Sequence, residues 1–167
     1  MRKTAYLAFG SNIGNGEENV REAWASLSLV PGVYPAALSR LYRTRPWGYT
    51  EQPNFTNACC RVETTLSPEA LLGVCLGIEA AMGRVRQFKN GPRVIDIDLL
   101  LYEGEKRDTA ELRLPHPGIR EREFVLEPLL DVCENGSACG LNVPETLRLL
   151  REKNCEKPAE KEEPGGV

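Results

Sequence analysis

The sequence predicts an α+β protein with a ferredoxin-like βαββαβ core, an antiparallel-rich sheet and additional C-terminal elements. Three observations carry this. Apolar spacing switches between period two and helical spacing in the order β-α-β-β-α-β. Glycine and proline pairs fall between those segments and punctuate them. The length, 167 residues, suits one domain around a single core. Helices packed on one face of the sheet are expected from that order.

Each element has a local reason. Residues 4–10 alternate as a strand and run into the turn Gly10-Ser11-Asn12. After Asn15 and Gly16, Val20, Ala23, Trp24 and Leu27 recur at helical spacing, with Glu17 and Glu18 favourable in the first turn. Pro31-Gly32 ends that helix. Residues 36–42 alternate as a second strand, and 44–53 form a loop holding two prolines, Trp47 and Gly48. Residues 55–64 make a third strand. Ser67 caps a helix whose first position is Pro68, and Leu71, Val74, Cys75, Ile78 and Met82 line its apolar stripe as far as Gly83. The fourth strand lies in GPRVIDIDLLLY (91–102), and charged turns follow around Gly104 and Arg107. A short strand is expected at 112–114, ahead of Pro115-His116-Pro117. Residues 124–132 are apolar but interrupted by Pro128, which leaves their type open. A short helix is expected at 143–151. Residues 1–151 thus form one domain, and 152–167, rich in Lys, Glu, Pro and Gly, read as a disordered charged tail. No internal repeat is visible.

Composition excludes several classes. Hydrophobic content of 41% and charged content of 27% are those of an ordinary soluble domain. A net charge of −3 gives no global attraction to nucleic acid or anionic lipid. No apolar run reaches the roughly 18 residues of a membrane span, and MRKTAYLAFG lacks the pattern of a signal peptide, so a cytoplasmic protein is expected. The six cysteines lack metal-ligand spacing and read as reduced, small apolar residues.

The chemistry concentrates around Asp96 and Asp98. In a strand both side chains point to one face, with Ile95, Ile97, Leu99 and Leu101 on the other. Two adjacent carboxylates repel and resist desolvation unless a cation joins them, and oxygen-only ligands suit Mg²⁺. A wet sheet face accounts for the strand equally well. From Ala80 to Ile95 there is no acidic residue, while Arg84, Arg86, Lys89 and Arg93 are basic. A loop of arginines leading into paired aspartates suits a polyphosphate with its magnesium, the alternative being a solvated basic turn. The GxxxxGK[ST] phosphate loop is absent, and Gly10–Gly14 is accounted for by a tight turn. His116, the one histidine, is either a donor to a phosphate oxygen or a residue packed in its proline-flanked turn. Asn57, Phe55, Trp47 and Phe124 offer an amide and aromatic faces to a flat heterocycle, with core packing the alternative for each aromatic.

The motifs FGSNIG, YRTRPWG, QPNFTNACC, IE…GRVR, GPRVIDIDLLLY and LPHPGIREREFVLEPL occur in that order from about Thr4 to Val132. Together they resemble 6-hydroxymethyl-7,8-dihydropterin pyrophosphokinase of the folate pathway. The resemblance implies transfer of the terminal diphosphate of ATP to the pterin hydroxymethyl oxygen, with release of AMP. It implies two Mg²⁺ ions bound with ATP by Asp96 and Asp98, and ATP-side roles for Glu79, Arg84, Arg93, His116 and Arg122. Arg84 and Arg93 would also compensate the charge that shifts during transfer. On the pterin side it implies Asn57 and Phe124, with Thr44, Pro46 and Phe55 lining the pocket and Trp47 in the loop that covers it. ATP and the pterin are the expected partners, with no nucleic acid or membrane, acting on a monomer. Two positions depart from the pattern: Asn90 stands where many members carry a tryptophan, with Phe88 as a substitute stacking group, and Glu111 where some carry a base. Two other readings share features with this one. A two-metal nucleotidyltransferase shares the aspartates, and a non-catalytic ferredoxin-like regulatory domain would bind its ligand without Mg²⁺.

Overall fold

The computed structural model describes residues 1–46, 48–85 and 88–156. The main sheet contains β1 (Lys3–Ser11), β2 (Val33–Leu38), β3 (Tyr42–Thr44), β4 (Phe55–Thr64) and β5 (Asp96–Tyr102). Its order is β2-β4-β1-β5, with β3 also pairing β4, and each of these pairings is antiparallel. Helix α1 (Gly16–Ser28) connects β1 to β2, and α2 (Pro68–Ala81) connects β4 to β5. This is the predicted βαββαβ arrangement.

Capping explains where the first two helices begin. The Asn15 side chain accepts the Glu18 N–H, and Ser67 accepts the Ala70 N–H, each satisfying a donor the helix itself leaves free. The strand expected at 36–42 is instead two pieces. The chain pairs along one half of β4 as β2, breaks at 39–41, and resumes along the other half as β3. Ser39 explains the break. Its N–H donates to the Cys59 carbonyl and its Oγ accepts the Cys59 N–H, so a side chain takes over part of the ladder.

Helices cover both faces of the sheet, not one. β1 turns Ala5, Leu7 and Phe9 toward α1 and α2, and Tyr6 and Ala8 toward the opposite cluster. That second cluster is supplied by residues 124–132, which form a helix, α3 (Glu123–Val132), and by α4 (Val143–Glu156). Pro128 is tolerated inside α3 and buried there. The two-residue strands β6 (Arg107–Asp108) and β7 (Arg113–Leu114) pair with each other, as do β8 (Ser137–Ala138) and β9 (Leu141–Asn142). The last helix runs to Glu156, five residues beyond the boundary expected at 151, and the remainder of the tail lies outside the described residues.

A register shift in β5 corrects the expected face of one residue. Tyr6 pairs with Leu101 while Leu7 pairs with Leu99, so Leu100 is an extra residue in the ladder. Leu101 therefore packs with Leu100 toward α3, away from Ile97 and Leu99. Cys59 and Cys60 face opposite clusters, and with Cys75 they are buried and free, used as small apolar groups.

Leu126 of α3 is fully buried in the second cluster. Leu126→Ala is expected to cost about 2–5 kcal/mol in urea unfolding, because the helix is held by burial on this sheet face. A loss under about 1 kcal/mol would mean α3 is not packed as described.

Candidate functional site

α3 and α4 cover only part of their sheet face. Beyond the α3 N-terminus, neighbouring strands place small and polar residues side by side. Asn57 on β4, Gly10 on β1 and Asp96 on β5 lie in one row across the sheet, and Cys59, Ala8 and Asp98 lie in the next. Ala8, Gly10, Asn57, Asp96 and Asp98 all line a cavity of about 270 Å³. Its walls come from Thr44, Phe55, Arg84, Phe88, Arg93, His116, Arg122 and Phe124, among others. Gly10 matters by lacking a side chain. A Cβ there would lie 3.2 Å from Asn57 Oδ1 and 3.9 Å from the Asp96 Cβ, closing the floor between the amide and the carboxylates.

The carboxylates sit in a charge network that spans two layers. Glu79, buried on α2, accepts the Ile97 N–H at 2.8 Å through Oε1, satisfying the outer edge of β5. Its Oε2 accepts from Arg84 Nη1 at 2.7 Å, and the same nitrogen donates to Asp96 Oδ1 at 2.9 Å. Burial pushes Glu79 up from the usual carboxylate range, against the bonds from Ile97 and Arg84. Arg93 Nε lies 3.3 Å from Asp96 Oδ2 but without hydrogen-bond alignment, so this buried N–H has no acceptor among the described residues. Asp98 is pushed up to about 7, first by burial and then by the neighbouring Asp96 charge, with Arg122 and Arg93 opposing.

His116 is oriented from both ends. Its backbone N–H donates to the Leu100 carbonyl, and its Nδ1 accepts the Gly118 N–H at 3.2 Å. With Nδ1 occupied as an acceptor, the neutral ring carries its proton on Nε2 as a free donor. Burial lowers its pKa, and the nearby Arg122 charge lowers it further. On the other side of the cavity, Asn57 Nδ2 donates to Thr44 Oγ1, which leaves the amide oxygen beside Gly10. Arg93 lies over the Phe55 ring at 4.7 Å.

Sequence reasoning placed most of this set together. Thr44, Phe55, Asn57, Arg84, Arg93, Asp96, Asp98, His116, Arg122 and Phe124 all line the one cavity. Pro46 and Glu79 do not, and Glu79 acts on the cavity through Arg84. Trp47 and Arg86 lie outside the described residues. Gly10, Arg45 and Asn12 were missed. FGSNIG pointed to the first and third, but only as a turn. Asn12 is buried and ties three segments together: it exchanges backbone bonds with Arg93 through its N–H and Oδ1, and donates from Nδ2 to Gln52 and the Pro53 carbonyl. Gln52 in turn donates to the Asn90 carbonyl, and the Tyr49 and Phe88 rings meet edge to face at 5.0 Å. The loops before β4 and after α2 are thus joined over the cavity. No group of three or more His, Cys, Asp or Glu suited to a metal exists among the described residues. Asp96 and Asp98 alone fit Mg²⁺, which takes one or two carboxylates and completes its shell with water and phosphate.

The raised Asp98 value has a sign. The folded pKa, about 7, exceeds the unfolded one, about 3.9, so the stability this group contributes is present below about pH 4 and lost as pH rises toward 7. Asp98→Asn should therefore stabilise the ligand-free protein at pH 8, with the gain shrinking toward pH 5 in urea unfolding. An equal effect at both pH values would show that Asp98 titrates normally.

Comparison with known proteins identifies the family. The family model described as 7,8-dihydro-6-hydroxymethylpterin-pyrophosphokinase matches residues 6–134. A 2-amino-4-hydroxy-6-hydroxymethyldihydropteridine pyrophosphokinase of Methylorubrum extorquens is 46% identical over 153 residues, covering 92% of this chain and 97% of the relative. The Bacillus subtilis protein of the same name is 41% identical over 134 residues, covering 80% of each. Among solved structures, wild-type Plasmodium falciparum HPPK-DHPS with pteroate superposes with a TM-score of 0.69 at 16% identity, over 94% of this chain and 44% of that one. This chain thus spans less than half of that protein, and at such identity the likeness speaks for the fold. The match over 6–134, with a relative 46% identical over 97% of its length, places the chain in the 7,8-dihydro-6-hydroxymethylpterin-pyrophosphokinase family.

Proposed function

We propose that this protein transfers the terminal diphosphate of ATP to the hydroxymethyl group of 6-hydroxymethyl-7,8-dihydropterin, in folate synthesis and with Mg²⁺. Family membership supports the reaction class. The observation that carries the site reading is the row Asn57–Gly10–Asp96, which puts a heterocycle-reading amide and a metal-holding carboxylate on one open floor.

In this reading the pterin lies against Phe55 and Phe124, with its edge on Asn57. The hydroxymethyl oxygen bonds to the β-phosphorus, the bond from that phosphorus to the α-phosphate oxygen breaks, and AMP leaves. The hydroxyl proton passes to solvent. Phosphoryl transfer asks little covalent chemistry of the protein; position and charge dominate. Asp96 and Asp98 would hold two Mg²⁺ ions, whose chemistry is to neutralise and orient the triphosphate. Arg84 and Arg93, released from Asp96, would take phosphate oxygens, and the unsatisfied Arg93 Nε is a donor ready for one. The His116 Nε2–H and Arg122 would donate at the nucleotide side. Ligand pockets commonly span about 300–1,000 Å³. The cavity, about 270 Å³, is of the size of the pterin, and the joined loops would close over both substrates to exclude water.

We propose that the protein acts as a monomer. We place it in the cytoplasm, where its six free cysteines suit a reducing compartment. No helix among the described residues is long and apolar enough to cross a membrane.

Incubation with Mg-ATP and hydroxymethyl-dihydropterin should yield AMP and a diphosphorylated pterin in equal amounts. Release of pyrophosphate would favour a nucleotidyltransferase, and binding unaffected by metal without turnover a regulatory domain. Asp98→Ala should lose most turnover while its far-UV dichroism stays unchanged, and near-parental turnover would sink the metal assignment. Gly10→Ala should weaken pterin binding about fivefold or more through crowding worth about 1–3 kcal/mol. Unchanged pterin affinity would show that the ligand does not lie on this floor.

A further inference from the structure

The cavity is lined by five cationic side chains, Arg45, Arg84, Lys89, Arg93 and Arg122. Three are engaged within the protein. Arg84 and Arg93 pair with Asp96, and Arg122 interacts with Asp98 and His116. Lys89 sits on the arginine loop between Phe88 and Asn90, which reach across to Tyr49 and Gln52. Arg45 and Lys89 have no hydrogen-bond or ion-pair partner among the described residues, and of these two Arg45 is the one that follows β3, next to Thr44.

Its placement follows from the end of β3. Thr44 is the last residue of that strand, pairs in register with Phe55, and receives the Asn57 amide. Arg43, opposite Thr56, does not line the cavity, whereas Arg45, exposed like it, does. Arg45 is the first residue beyond the strand, where the pleat no longer dictates its face, and the chain turns it toward the cavity beside Thr44, Phe55 and Asn57.

A free guanidinium there has no counterpart in the acceptor as it arrives, because the hydroxymethyl pterin is uncharged. Transfer changes this: the diphosphate leaves the nucleotide and becomes attached to the acceptor, which then carries negative charge in the cavity that Arg45 lines. We propose that Arg45 is a binding residue for the transferred diphosphate, so that it discriminates the phosphorylated acceptor from the unphosphorylated one. The inference rests on the reaction proposed above. An arginine fork matches phosphate oxygens bidentately, and Arg45 gives up no ion pair in order to bind. It therefore holds the product after chemistry and contributes to the rate at which product leaves.

The test is a pair of affinities measured by calorimetry in fixed Mg²⁺ without nucleotide, for 6-hydroxymethylpterin and for its diphosphate. Arg45→Ala should weaken the diphosphate about tenfold or more while moving the unphosphorylated pterin less than twofold. Arg45→Lys should recover part of the loss, and raised salt should narrow the gap between parent and variant. Equal weakening of both ligands would assign Arg45 to the ring or to pocket shape, and no weakening of either would remove it from the site; each result overturns the proposal. Failure of the parent protein to bind either ligand would instead overturn the reaction on which the inference rests.

Discussion

The site depends on keeping two carboxylates charged at the edge of a hydrophobic sheet. Asp96 and Asp98 emerge from a strand whose other face is core, so neither can turn away. The Glu79–Arg84–Asp96 chain answers half of this problem. Glu79 is fixed by the β5 backbone, Arg84 by Glu79, and Asp96 by Arg84, so a strand edge, a helix and a loop are joined through one guanidinium. Among the described residues Asp98 has no such hydrogen-bonded brace, and burial with the Asp96 charge raises its pKa. One carboxylate of the pair is thus braced by a guanidinium, while the other keeps a raised pKa.

The same economy of partners shapes the loops. Asn12 spends every polar atom of its side chain on segments that surround the cavity, and Gln52 extends that network to Asn90. Backbone-to-side-chain bonds of this kind hold two loops in register without burying them in the core. They are also individually modest, worth about 0.5–1.5 kcal/mol each, so ligand binding can rearrange them.

Much of the fold was legible because its signals are local. Caps at Asn15 and Ser67, alternation in β1 and β4 and the apolar stripe of α2 appear in the sequence as spacing. What was misread or left open depends on partners distant in sequence. Ser39 breaks a strand by bonding to Cys59, Leu100 shifts a register set by β1, and residues 124–132 are helical because the second sheet face needs a cover. Pro128 disguised that helix, since a proline warns against a helix even where burial tolerates it.

By itself the sequence determined the chemistry of the site: two aspartates on one face, an acid-free arginine loop leading into them, an amide with aromatics, and a histidine between prolines. Residue type and short spacing carry that information. Only the tertiary structure decided which of these share a floor. Antiparallel pairing put Asn57, Gly10 and Asp96 in one row although they are far apart along the chain, and strand ends chose that Arg45 faces the cavity while Arg43 does not. Register and strand termination are set by long-range hydrogen bonding and burial, which no short stretch of sequence contains.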